Sequence, residues 1–195
     1  MEKETIKERF LGTIFGQAVG DALGLSTEFM SKQEVDRFYP NGIEDYSQIV
    51  QDDHRRRWQR GDWTDDTDMM LCILDSFVAC QKLDILDIAR RFKEWMMNGG
   101  MGIGRHTYCL DDEKSMGYTL RTLGAALWAY WHATSYKEGI LKIVLSGGDA
   151  DTNAAVAGAI LGAKFGICHI PEEWKSGLLY ASMLHNKVQD LYSMV

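Results

Sequence analysis

Apolar residues recur at helical spacing along most of the chain. In the first segment Ile6, Phe10, Ile14 and Ala18 fall on one helix face. Long stretches repeat this i, i+3, i+4 pattern, whereas strict alternation is rare. The two prolines lie outside these stretches and leave them uninterrupted. The pattern predicts an all-α protein with helices over residues 5–25, 31–39, 67–80, 84–97, 117–133, 136–145, 151–165 and 172–192.

Small residues form matching rows in two of the predicted helices. Glycine costs about 0.5–1 kcal/mol relative to alanine inside a helix, so a close contact has to offset a row of glycines. Because both rows repeat every four residues, we expect the two helices to pack tightly at the centre of the fold. The rows are Gly12, Gly16, Gly20 and Gly24 in the first helix and Ala154, Gly158 and Gly162 in the helix over 151–165.

Length and charge narrow the class of protein. A chain of 195 residues, 46% of them hydrophobic, can bury roughly 70% of its unfolded surface, so we expect one domain over 1–195. The net charge of -7 disfavours sequence-independent nucleic-acid binding, which depends on Lys and Arg. The chain has no apolar stretch of membrane-spanning length and no signal-peptide pattern at its start. We therefore expect a soluble, cytoplasmic protein without membrane association.

Cysteines, histidines and a basic run give weaker signals. The cysteines show no CxxC spacing, and each lies singly among apolar residues. They are therefore predicted to be buried thiols in a reducing compartment. The histidines are scattered, which disfavours a zinc site. The run Arg55-Arg56-Arg57 is either a solvated loop or a contact for an anionic ligand. The cysteines are Cys72, Cys80, Cys109 and Cys168.

A first acidic motif precedes the apolar run of the helix over 67–80. It contains Thr64, Asp65, Asp66, Thr67 and Asp68. Helix capping accounts for one side-chain oxygen and favours acidic residues in the first turn. The remaining oxygens exceed that need and suit Mg²⁺, Mn²⁺ or Ca²⁺. On this motif alone, capping and cation binding both stay open.

A second acidic motif follows a Gly-Gly turn at the start of the helix over 151–165. If the backbone there is extended, Asp149 and Asp151 point the same way and converge. The first helix ends near Asp21, with Glu28 close behind. Its expected packing against the helix over 151–165 would bring these carboxylates together. Such a group repels itself unless its pKa values rise or cations bind, so the sequence predicts a cation site.

Three ordered motifs resemble the signatures of the ADP-ribosylglycohydrolases. They are residues 16–24 with Glu28, residues 63–67, and residues 147–152. The resemblance implies a compact orthogonal bundle of helices with two divalent cations, Mg²⁺ or Mn²⁺. It also implies the cation ligands, which are Thr64, Asp65, Asp66, Asp149, Asp151 and Thr152.

The resemblance further implies hydrolysis of a glycosidic bond between ADP-ribose and an acceptor, which is either a protein side chain or a small molecule. Glu28 would act as the acid–base partner or as a gate on the cations, with Asp65 and Asp151 contributing to catalysis through them. Gly100, Gly102 and Gly104 could donate backbone N–H groups to the diphosphate, as a similar loop of the family does. A flexible turn between helices explains these glycines equally well.

The chain departs from the family by its shortness. Between the Gly-rich loop and the second aspartate pair it lacks a helical segment that normally helps to cradle the nucleotide. This leaves two alternatives to the glycohydrolase: a non-catalytic ADP-ribose-binding or structural relative, and a hydrolase of another phosphate- or ribose-containing small molecule. The intact acidic motifs favour the enzyme. If a neighbouring subunit replaces the lost segment, the chain should be a homodimer.

Overall fold

A computed structural model describes residues 3–100 and 116–193, and this part of the chain is helical without strands. Within these ranges, short 3-10 helices at Tyr46–Gln48, Arg55–Arg57 and Ile167–His169 lie in the connections. The all-α prediction is confirmed. The helices are α1 (Lys3–Gly24), α2 (Lys32–Phe38), α3 (Asp65–Cys80), α4 (Ile85–Met97), α5 (Met116–His132), α6 (Tyr136–Val144), α7 (Ala150–Phe165), α8 (Glu172–Ser176) and α9 (Ala181–Tyr192).

Helices α1 and α7 form the centre of the fold, as their glycine rows predict. They run antiparallel, because Gly12 lies against Gly162 whereas Gly20 lies against Ala154. A Cβ atom added to Gly20 would lie 2.0 Å from the Ala154 carbonyl oxygen, so no side chain fits there. This register brings the end of α1 beside the start of α7, where the acidic motifs lie.

The prediction of one continuous helix over 172–192 is wrong for the middle of that range. The structure divides it into α8 and α9. Between them the Leu179 N–H donates to the Gly61 carbonyl at 2.8 Å rather than within a helix. Gly177 lies against the Tyr46 ring, with no room for a side chain. Contacts with a distant loop therefore override the local helical pattern.

Helix α5 has an unusual distribution of side chains. Its small and polar residues Thr122, Ala126 and Ala129 are buried, and α5 packs against α7. The large apolar residues of α5 whose side chains the structure describes are exposed instead; they are Leu123, Leu127, Trp128, Tyr130 and Trp131. In the described residues, no helix is both long and apolar enough to span a membrane.

The prediction of buried cysteines is wrong for Cys168, which is exposed and contacts the Glu8 carboxylate at 3.2 Å. It follows the end of α7, in a short 3-10 helix on the surface. Cys72 and Cys80 are partly buried free thiols. Cys109 lies outside the described residues.

Candidate functional site

Asp21, near the end of α1, caps the start of α3. Its Oδ1 accepts hydrogen bonds from the Thr64 N–H and hydroxyl at 3.1 and 2.8 Å, and its Oδ2 accepts from those of Thr67 at 3.0 and 2.6 Å. The cap of α3 therefore comes from another helix, and Thr64 makes no side-chain cap of its own. The Asp65 and Asp66 carboxylates, in the first turn of α3, are not needed for capping.

Three carboxylates meet where α1, α3 and α7 come together. Single oxygens of Asp21, Asp66 and Asp151 all lie within 4.8 Å of one another. Thr152 links the two predicted motifs, because its hydroxyl donates to Asp66 Oδ2 at 3.0 Å. Asp21 was not among the ligands implied by the sequence, although its place at the end of α1 signalled a third acidic group.

The second motif is arranged differently from its prediction. Asp149 precedes α7, but Asp151 lies inside its first turn, so the two do not share an extended lead-in. The helix begins at Ala150 because the Gly147-Gly148 turn completes the change in chain direction before that residue. Both glycines have positive φ, and a Cβ atom on Gly147 would lie 2.3 Å from the Met30 carbonyl oxygen. Asp151 reaches the cluster from the helix, and the charge of Asp149 acts on Asp66.

Burial and mutual repulsion perturb these carboxyl groups. Burial, together with the Asp66 charge, raises the pKa of Asp65 to about 7. Burial also raises the pKa of Asp66 to about 6, against the hydrogen bond from Thr152. The pKa values of Asp21 and Asp151 lie well above the usual range because both groups are buried beside other carboxylates. The folded protein therefore holds protons here that a bound cation would displace.

The donor set fits a divalent cation. All of the converging groups are carboxylate or hydroxyl oxygens, which Mg²⁺ and Mn²⁺ prefer. Asp151 Oδ1 is buried and meets no hydrogen-bond donor in the described residues, although buried oxygens are normally paired. Among the same residues, no lysine or arginine forms an ion pair with Asp21, Asp66 or Asp151. A cation would satisfy both the unpaired oxygen and the excess charge.

Glu28 lies beside this cluster, where its charge raises the pKa values of Asp65, Asp66 and Asp151. The next residue, Phe29, has a φ of 60°, a conformation that non-glycine residues rarely adopt outside strained sites. Its N–H donates to the Gly148 carbonyl at 2.7 Å. The backbone at Glu28 is thus tied to the turn that leads into α7.

Two further residues at the site were not predicted as site residues. His54 Nε2 lies 2.6 Å from Glu28 Oε2. Arg55 is buried, and its guanidinium donates to the Leu25 and Ser26 carbonyls at 2.9 Å and also to the Glu28 carbonyl and Asp52. For Arg55, both interpretations of the basic run are wrong, because its charge is used inside the protein to hold the loop that carries Glu28.

An aromatic pocket of about 360 Å³ adjoins the carboxylate site through Trp63 and Thr64. The two oxygens of Asp68 accept hydrogen bonds from the indole N–H groups of Trp63 and Trp95, at 2.8 and 2.9 Å, which fixes both rings. The remaining wall includes Trp58, Asp62, Asn98, Gly99, Gly100, Tyr180 and Met183.

The predicted diphosphate loop is described only at its start. The Gly100 N–H donates to the Trp95 carbonyl at 3.0 Å, so it is engaged in ending α4 rather than free. Gly102 and Gly104 lie outside the described residues. Phosphate binding by this loop stays a prediction.

The fold and the site define an all-α protein with an acidic, oxygen-lined centre between three helices. The family model described as ADP-ribosylglycohydrolase matches residues 2–113 and 106–195. The chain therefore belongs to the ADP-ribosylglycohydrolase family, a family of hydrolases, as the ordered motifs imply.

Two relatives of known name are similar over most of the chain. ADP-ribosylarginine hydrolase Tri1 of Serratia proteamaculans is 22% identical over 307 residues, which cover 99% of this chain and 81% of that protein. ADP-ribosyl-dinitrogen reductase glycohydrolase of Rhodospirillum rubrum is 24% identical over 284 residues, covering 91% and 92%. Both alignments are far longer than the 195 residues of this chain, so each relative carries internal sequence that this chain lacks.

A solved structure described as an ADP-ribosylglycohydrolase-related protein complex has the same fold, with a TM-score of 0.73 and 22% identity. The match covers 99% of both chains.

Proposed function

We propose that this protein hydrolyses the glycosidic bond between ADP-ribose and an acceptor, and that divalent cations support the reaction. One observation carries the proposal: in a member of this family, the Asp66 and Asp151 carboxylates lie close together, and Oδ1 of Asp151 is buried without a hydrogen-bonding partner in the described residues. Mg²⁺ or Mn²⁺ would be held by Asp66, Asp151 and their neighbours in the two motifs. The full proposed ligand set is Thr64, Asp65, Asp66, Asp149, Asp151 and Thr152.

When bound, the cations would supply positive charge that orients ribose hydroxyls and lowers the pKa of a water. The chain's own part is to fix the ligands. Asp21 holds Thr64 in place through two hydrogen bonds, and Thr152 orients Asp66. Asp65 and Asp151 act in catalysis by holding this centre together.

Glu28 is the proposed acid–base group, or the gate on the cations. It is buried beside the cluster, and its backbone is held by Arg55 and by the Gly148 turn. A carboxylate held beside the reacting centre can take a proton from water or give one to the leaving group.

The aromatic pocket favours an arginine side chain as the acceptor. Its walls are tryptophan and tyrosine rings, and Asp62 and Asp68 line it as well. Aromatic faces beside carboxylates attract a planar cation such as guanidinium. The similarity to ADP-ribosylarginine hydrolase Tri1 supports the same acceptor.

The test is a panel of arginine-, serine- and O-acetyl-linked ADP-ribose, incubated with Mg²⁺, Mn²⁺ or EDTA and assayed for free ADP-ribose. We expect release from the arginine-linked substrate with Mg²⁺ or Mn²⁺ and none with EDTA. Asp151→Asn should reduce cation affinity and activity together, whereas Asp53→Asn, at an exposed aspartate, should change neither. Full activity of Asp151→Asn in EDTA would exclude the mechanism.

A second candidate is a non-catalytic ADP-ribose-binding protein. The internal sequence that the longer relatives carry and this chain lacks is the observation that favours it. Binding of ADP-ribose by calorimetry, without release from any linked substrate, would support this candidate. Release from a different ribose- or phosphate-containing compound would instead identify another small-molecule substrate.

A further inference from the structure

The side chain of Glu28 has a single hydrogen-bonding partner in the described residues, His54. The Nε2 and Oε2 atoms are 2.6 Å apart, and the two side chains are only 23% and 10% exposed. Arg55 and Gly148 fix the backbone on either side of the Glu28 side chain, but neither contacts its carboxylate. The direction of that carboxylate therefore depends on His54.

Arg57 contacts the other ring nitrogen of His54. Its guanidinium contacts His54 Nδ1 and also donates to the His54 carbonyl at 2.9 Å. A guanidinium can only donate hydrogen bonds, so Nδ1 must be an acceptor without a proton. The neutral ring then bears its hydrogen on Nε2, which faces Glu28.

Two aromatic rings lie against the imidazole. The ring centroids of Phe29 and Trp58 lie 5.2 and 5.3 Å from that of His54. Arg57 stacks in turn on Trp58, 4.6 Å from its centroid. The imidazole thus has hydrogen-bonding partners at both ring nitrogens and aromatic rings beside it, which is the arrangement of a built positioning group rather than of a surface histidine.

We propose that His54 is a positioning residue for Glu28 and that Arg57 selects the Nε2–H tautomer in which it does so. The proposal rests on the proposed function, in which Glu28 is the acid–base group or gate. Without the Nε2–H donor, the Glu28 carboxylate can rotate away from Asp65, Asp66 and Asp151. A displacement of that kind lowers the rate of the chemical step more than substrate binding.

The kinetic test compares two substitutions at the same position. His54→Leu removes the donor and should lower kcat by about 10- to 100-fold, with KM changed by about twofold or less. His54→Gln places an amide N–H near the position of Nε2 and should restore most of kcat. Arg57→Met should lower kcat less than His54→Leu. The control is Arg56→Met, since Arg56 pairs with Asp53 on the surface and should leave kcat unchanged.

A second measurement does not depend on activity. Nitrogen-15 NMR of histidine side chains distinguishes the two neutral tautomers and the charged ring. The His54 signals, identified by their loss in His54→Gln, should show the Nε2–H tautomer in the wild type. Arg57→Met should mix the tautomers, and Glu28→Leu should speed solvent exchange of the Nε2 proton.

The outcomes separate the two proposals. If the wild type releases ADP-ribose from no substrate, the proposed function fails, and the NMR result alone decides whether His54 orients Glu28. A wild-type His54 that is charged or is the Nδ1–H tautomer would overturn the positioning role. Equal loss of kcat in His54→Leu and His54→Gln, with unchanged melting temperatures, would overturn it as well.

Discussion

Asp21 and Thr64 are joined by two hydrogen bonds, because one carboxylate oxygen of Asp21 accepts from both the backbone N–H and the hydroxyl of Thr64, at 3.1 and 2.8 Å. The second oxygen makes the equivalent pair with Thr67. This contact fixes the start of α3 against the end of α1. It makes the same carboxylate both a helix cap and a wall of the acidic site.

Replacing Asp21 should therefore destabilise the fold. Asp21→Ala leaves four donors of Thr64 and Thr67 without their buried acceptor, and we expect a loss of about 3 kcal/mol or more in the free energy of unfolding. Asp21→Asn keeps one acceptor oxygen and should lose less. Urea denaturation measures both, with Asp53→Ala as the exposed control. Equal losses below about 1 kcal/mol for both variants would contradict the capping role.

The contact between α1 and α7 makes an opposite prediction for two glycines. Gly20→Ala places a methyl group 2.0 Å from the Ala154 carbonyl oxygen, so the helices must separate, at a cost of about 3 kcal/mol. Gly124→Ala, in α5, meets no atom within 4 Å and should stabilise the protein by about 0.5–1 kcal/mol through helix propensity. Thermal and urea unfolding of the two variants would check this. A Gly20→Ala variant as stable as the wild type would exclude the close packing.

The parts of the fold set by local sequence were predictable. Asp84 and Ser135 accept hydrogen bonds from the N–H groups three residues later, as their positions before α4 and α6 predict. The glycine rows also predict the pairing of α1 with α7, because residues four apart lie on the same face of a helix.

The parts set by irregular backbone were not predictable. His54 meets Glu28 only through the path of a long loop, which has no periodicity to read. Burial of Arg55 depends on the same path, since its acceptors are carbonyls about thirty residues earlier. Asp21 became the cap of α3 for a similar reason. A cap is expected from the residue next to the helix, and the sequence offered Thr64 there.

The raised pKa values predict that the metal-free protein loses stability as the pH rises. Asp65 and Asp66 titrate at about 7 and about 6 in the folded state, against 3.8 for an ordinary aspartate. Between pH 3.8 and about 7, the folded state therefore binds more protons than the unfolded state. This contribution is fully present below pH 3.8 and is lost as the pH rises through about 6 and 7.

Urea unfolding in EDTA across pH 5 to 8 would measure this trend. Asp65→Asn should flatten it, and Mg²⁺ or Mn²⁺ should stabilise the protein more at pH 8 than at pH 5, because a cation binds the deprotonated site. Asp87, whose pKa is lowered by hydrogen bonds from Arg91 and Arg90, titrates below this window and serves as the control position. Stability that increases with pH in EDTA would contradict the prediction.

The outward face of α5 predicts self-association through a second copy of the chain. Trp128, Tyr130 and Trp131 are 42%, 42% and 68% exposed, which amounts to roughly 300 Å² of aromatic surface before Leu123 and Leu127 are added. A patch of this size is comparable with the largest apolar patch on a typical monomer, which often serves in binding. Helix α5 itself contributes no charged side chain between Leu123 and Trp131. The Lys142 and Lys164 ammonium groups lie over the Trp128 and Tyr130 rings, so a two-fold interface would pair the aromatic surface that these lysines leave open with its own copy.

We expect the wild type to sediment as a dimer and Trp131→Glu to sediment as a monomer with an unchanged circular dichroism spectrum. Leu86→Glu is the matched control, because Leu86 is 83% exposed on α4, a helix that packs against α3; this variant should remain a dimer. Because the acidic centre is built within one chain, the monomeric variant should keep its affinity for Mn²⁺, measured by calorimetry. A wild type that stays monomeric at high micromolar concentration would show that α5 does not pair with its copy.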